Sequence, residues 1–149
     1  MTEQQQYQVR FDWGTAGVTA LAGADIVVWV DELPGPSPRV PSTEATLVMV
    51  ASLATAETIA EAILAAQSER GERTSIAVIA AGAERHDGSA RFAVEDLLAA
   101  GAVIDALAAR GIDHSSPEAA AACASYTGLR RATGHLISAS VTAQAEREA

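Results

Sequence analysis

Residues 24–30 read Ala-Asp-Ile-Val-Val-Trp-Val, a nearly continuous block of β-branched and apolar side chains. It lacks the apolar and polar alternation of a strand with one wet face, so it fits a strand covered on both sides, which parallel sheets require. A central, parallel strand is expected here. Upstream, Val9, Phe11 and Trp13 alternate with Gln8, Arg10 and Asp12, the period-two mark of a half-buried outer strand. Gly14 ends that run, and Thr15 to Leu21 reads as a short helix of small residues.

Downstream, Leu33 to Ser42 holds Pro34, Pro36, Pro38 and Pro41 with Gly35, a composition that neither continues a ladder nor starts a helix. Leu47 to Val50 resumes an apolar run. Thr55 to Gln67 places Ile59, Ile63 and Leu64 on one helical face, and Gly71 offers a stop. Ser75 to Ala80 is a third buried strand, followed by a polar loop from Gly82 to Ser89 and a long helix over Phe92 to Ala109. Gly101 inside that helix costs about 1 kcal/mol relative to Ala, which implies a close neighbour. Ser115-Ser-Pro-Glu118 reads as a cap with Glu three residues after Ser115, opening a helix to about Arg131. Gly134 to Val141 is expected as a short strand or loop. Alternation of this kind implies an α/β fold, three-layer, with a mainly parallel sheet and helices on both faces. One domain over 1–149 is expected, with flexible ends at 1–6 and 142–149.

The chain has 149 residues, 49% of them hydrophobic, so it can bury a sizeable core. Its net charge of −9 argues against a binder of nucleic-acid backbones. All ten basic residues are Arg, which removes P-loop and Schiff-base lysine chemistry from consideration. Cys123 is the only cysteine, so no internal disulfide can form. With a polar start, Met1 to Gln6, and no span-length apolar window, a cytoplasmic protein that does not enter membranes is expected.

Parallel sheets bind ligands beyond the carboxyl ends of their strands, here after Val30, Val50 and Ala80. Asp31 and Glu32 follow the first of these and suit Mg²⁺ through hard oxygen ligands, or serve as a solvated acidic strand end. Residues 81–88, Ala-Gly-Ala-Glu-Arg-His-Asp-Gly, present Arg85 to an anion and His86 as a titratable group, or form a charged surface turn. Arg91 precedes the long helix and Glu95 and Asp96 lie near its start. The acids there stabilise the helix dipole, or Glu95 pairs with Arg91 four residues away to orient a phosphate or a water. Cys123 among alanines reads as a small hydrophobe, and His135 as a helix-end partner.

The stretch from Gly88 to Ile104, Gly-Ser-Ala-Arg-Phe-Ala-Val-Glu-Asp-Leu-Leu-Ala-Ala-Gly-Ala-Val-Ile, resembles the 2-phosphosulfolactate phosphatase family. Similarity extends through Ala51-Ser-Leu-Ala-Thr-Ala, Val78-Ile-Ala-Ala-Gly and Ser115-Ser-Pro-Glu-Ala, and through Val9-Arg-Phe-Asp-Trp-Gly of actinobacterial-type members. The resemblance implies an α/β fold and Mg²⁺-dependent hydrolysis of a small anionic phosphoester, in the family the phosphate ester of a sulfonated lactate. On this reading Asp31 and Glu32 hold the metal, Arg91 and Arg85 neutralise the phosphate, and Glu95 or Asp96 positions water. The chain departs from the family after Asp31, where Glu32-Leu-Pro-Gly-Pro-Ser-Pro-Arg replaces a longer polar segment, and near Ser138-Ala-Ser-Val-Thr-Ala. Ser37 and Arg39 stand where they can supply part of the replaced loop. A second expectation follows from these departures: a shortened, catalytically silent paralogue acting as a binding or oligomerisation module. Trimming of this kind also leaves an edge or face for a second copy, so a homodimer is expected.

Overall fold

The computed structural model describes residues 3–36 and 38–149. Four strands, β1 (Val9–Trp13), β2 (Ile26–Val30), β3 (Leu47–Ala51) and β4 (Ile76–Ala80), form one sheet in the order β1-β4-β2-β3. Every pairing is parallel. The two uninterrupted apolar runs, β2 and β4, take the middle, and all ten of their residues are buried. Alternating β1 takes an edge, as its half-polar pattern requires.

The pleat divides the core in two. Ile26, Val28, Val30, Ile76 and Val78 point to one face, where they meet α2 (Ala56–Arg70), α3 (Val94–Ala108) and α4 (Pro117–Leu129). Val27, Trp29, Ala77 and Ile79 point to the other, where Val18 of α1 (Gly14–Ala20) and Leu21 cover them. The result is the three-layer α/β architecture with helices on both faces. Between β2 and β3 the chain uses the proline-rich segment in place of a helix.

Gly71 ends α2 in the left-handed region at φ 74°, where its amide reaches the Gln67 carbonyl. α3 and α4 touch most intimately at Gly101. A Cβ there would stand 2.7 Å from Tyr126 Cβ and inside the Ala122 carbonyl.

Three local readings change. The cap of α4 is Ser116, whose hydroxyl accepts the Ala119 amide at 3.0 Å, with Pro117 as the first helical residue. A cap at Ser115 is displaced because Ser115 bridges to Val9, and the Ser116 amide bonds the Val9 carbonyl along the outer edge of β1. Residues 134–141 are not a strand or plain loop: α5 (Thr133–Ser138) occupies most of them. The polar end is α6 (Val141–Glu148), started by Ser140, which accepts the Ala143 amide at 3.1 Å. Of the amino-terminal segment, Gln4 holds both the amide and the carbonyl of Phe11, while Met1 and Thr2 lie outside the described residues. No helix among the described residues is long and apolar enough to cross a membrane.

Candidate functional site

Strand register builds the site. Trp13, Ala80, Val30 and Ala51 stand side by side at the carboxyl ends of their strands. The next residues, Gly14, Ala81, Asp31 and Ser52, therefore open on one edge of the sheet, as the strand-end rule expects. The first turn of α3 meets that edge with Glu95 and Asp96, which are 2% and 1% exposed. Acids present only to complement a helix dipole would sit in solvent, so burial assigns these two to the interior of the site.

Asp96 binds the two central strand ends together. Its carboxylate accepts the Glu32 amide at 2.8 Å through Oδ1 and the Gly82 amide at 2.9 Å through Oδ2. Burial outweighs these two donors, and with the charges of Asp31 and Glu95 it pushes the Asp96 carboxyl up to about 7. Glu32 uses Oε2 to accept the Leu53 amide at 2.6 Å, which ties the end of β2 to the turn at Leu53–Thr55. Its carboxyl is also raised, by burial and by Glu95 and Asp31, against that donor. The Asp31 amide bonds the Ala51 carbonyl, and the Asp31 carboxyl is raised by burial, Glu95 and Glu146. Glu95 Oε1 is buried with no hydrogen-bond partner among the described residues.

Three carboxyls at one sheet edge thus sit above their ordinary range, each because burial and negative neighbours coincide. Among the described residues the ion pairs of Arg70, Arg110 and Arg130 all lie elsewhere. Glu146 belongs to this charged group and was missed in the sequence, because its segment read as a tail. Its signal was Ser140 as a cap, which places Thr142 and Glu146 one helical turn apart on α6.

The arginines stand differently from expectation. Arg91 does not pair with Glu95: its guanidinium donates to Thr142 Oγ1 at 2.8 Å and to the Phe92 carbonyl at 3.2 Å. Four-residue spacing aligns side chains only within a helix, and Arg91 lies ahead of α3 in β6 (Ala90–Arg91), paired with β5 (Ala83–Glu84). Arg85 and His86 are exposed in the turn of that hairpin, where the Arg85 amide bonds the Ser89 carbonyl. The loop reading of 82–89 therefore gives way to a two-residue hairpin ladder with a charged turn.

Beside the carboxylates a cleft of about 550 Å³ opens, lined by Trp13, Trp29, Arg39, Gly82, Glu84, Arg91 and Phe92 among others. Gly82 joins the two places, lining the cleft while its amide serves Asp96. Its φ of 71° suits glycine, and a Cβ there would press to 3.3 Å on the Arg91 carbonyl and 3.4 Å on the Trp13 indole. Ser37, the other residue expected in this region, lies outside the described residues. Cys123 is partly buried against the core, and burial raises its thiol.

Among the described residues no three His, Cys, Asp or Glu side chains gather into a ready-made metal cage. Mg²⁺ needs less, since it keeps several of its waters and takes one or two carboxylates. Asp96 has both oxygens engaged and Glu32 one, so oxygen remains free on Asp31, Glu32 and Glu95, and on Glu95 it includes a buried atom lacking any donor among the described residues. No known family model matches the chain, and no curated protein matches it.

Proposed function

We propose that this chain is a 2-phosphosulfolactate phosphatase-like protein that hydrolyses a small acidic phosphoester with Mg²⁺. The observation that carries the reading is the set of uncompensated carboxylates at the sheet edge, with the orphaned Glu95 Oε1 among them, beside a cleft lined by Arg39 and Arg91. Asp31 and Glu95 hold the cation. Bound Mg²⁺ supplies positive charge against phosphoryl oxygens and orders water. Arg91 and Arg39, which both line the cleft, neutralise the phosphate, whereas Arg85 faces solvent in the hairpin turn. Asp96 positions rather than reacts: its two amide bonds fix the strand ends that carry Glu32 and Gly82. Incubating the protein with Mg²⁺ and phosphosulfolactate or an aryl phosphate is expected to release phosphate above an Asp31→Ala control. Release no greater than that control overturns the reading.

One observation favours a second reading. The Arg91 guanidinium is already engaged by Thr142 and the Phe92 carbonyl, so the phosphate-facing arm is partly occupied. A catalytically silent binding module would keep the cleft and lose turnover. Calorimetric binding of Mg²⁺ and a phosphate analogue without phosphate release selects it, and measurable turnover excludes it.

A further inference from the structure

The wall of the cleft is aromatic. Trp13 packs edge-on against Phe11, and Phe92 lies against Trp13 with ring centroids 5.3 Å apart. Phe92 is nevertheless 60% exposed, an unusual place for a phenyl ring unless something else covers it. Arg39 is exposed, and among the described residues Arg91 meets only the neutral acceptors Thr142 and the Phe92 carbonyl. Among the described residues Glu84 is the one carboxylate lining the cleft, so two cations face one anion. The volume of about 550 Å³ falls among ordinary small-molecule sites, which run to roughly 300–1,000 Å³.

A three-carbon acid has no surface to set against these rings. It would engage the guanidinium groups and leave the indole and phenyl faces in water. A planar aromatic group carrying an anion satisfies both: the ring covers Phe92 and Trp13, the anion meets Arg39 and Arg91, and guanidinium groups themselves favour aromatic faces. We infer that the cleft lined by Trp13, Phe92, Arg39 and Arg91 is a seat for an aromatic phosphoester in preference to an aliphatic one. The inference rests on the reading above in taking this cleft as the seat of the phosphoester, and it names the class of that ligand.

Binding is measured by calorimetry with Mg²⁺ removed by chelator, using 1-naphthyl phosphate, 1-naphthol and glycerol 1-phosphate. The chain's two tryptophans, Trp13 and Trp29, both line the cleft, so quenching of intrinsic fluorescence locates the bound molecule there. Naphthyl phosphate is expected to bind about tenfold or more tightly than either of the others. Phe92→Ala is expected to remove most of its advantage over glycerol phosphate, and Arg39→Ala to weaken both phosphates while leaving naphthol unchanged. Both side chains are exposed, so both variants are expected to fold, which circular dichroism checks. Equal affinity for the two phosphates, or no binding of naphthyl phosphate, overturns the inference. Aryl binding followed by no phosphate release once Mg²⁺ is restored supports it and defeats the phosphatase reading. Turnover of aliphatic phosphoesters with no aryl preference overturns it and leaves that reading standing.

Discussion

Asp96 shows how one side chain couples stability to the site. Its folded carboxyl lies near 7 against an ordinary value of 3.8, so the native state holds this proton where the unfolded chain has released it. Stability then falls with rising pH, because the folded state binds more protons than the unfolded one across that interval. The contribution is fully present below about pH 4 and is lost as pH rises through 7, with Asp31 and Glu32 adding in the same direction. Urea unfolding without metal is expected to show a decline on the order of 3 kcal/mol between pH 4 and pH 8. Asp96→Asn is expected to flatten that decline, and Mg²⁺ to offset it above pH 7 by neutralising Asp31 and Glu95. Stability that is flat or rises over this interval would refute the assignment. The sequence could place Glu95 and Asp96 at a helix start, but not their burial. That depends on β2 and β4 ending level with the first turn of α3, a matter of register between segments about fifty residues apart.

At the scale of elements, legibility followed burial. β2 and β4 were readable because a strand covered on both faces excludes polar residues along its whole length, and α3 because eleven of its fifteen residues are buried. α6 was not, since Ala143 is its sole buried residue and one alanine sets no period. The Ser115 cap failed by one residue because β1 claims Ser115 for its open edge, a tertiary demand invisible in local sequence. Gly101 was legible as a site of close approach, and the contact is with α4. Gly101→Ala gains about 1 kcal/mol of helix propensity but drives a methyl group into the Ala122 carbonyl and the Tyr126 Cβ, both backbone-anchored. Overpacking costs about 1–3 kcal/mol, and atoms that cannot rotate away put this case at the upper end. Net destabilisation of about 1–2 kcal/mol by denaturant midpoint is expected, with an unchanged m-value. An alanine variant as stable as the parent would mean that α3 and α4 are not so closely apposed.

For the whole molecule, the unsolved surface is β3. Its partner β2 covers one side, and no other described strand pairs with its far side, whereas the opposite edge at β1 is covered by residues 115 and 116. Val48 and Val50 are 40% and 57% exposed. Natural edge strands guard themselves with charge, proline or a bulge, and β3 has none of these. On a chain of net charge −9, the run from Ala45 to Ala56 carries no charge at all, so it is where two copies can approach without like-charge repulsion. An uncharged strand with apolar side chains on both faces is also complementary to itself, and antiparallel pairing of β3 with β3 of a second copy follows a two-fold axis. The expected assembly is therefore a homodimer with one continuous sheet. Val50→Lys would set a lysine at or near its own symmetry mate and is expected to weaken dimerisation about tenfold or more while leaving the monomer's fold intact, because Val50 contributes little to the core. Light scattering across a concentration series reads both results. A strict monomer at high concentration, or a dimer indifferent to Val50→Lys, would place the interface elsewhere or remove it.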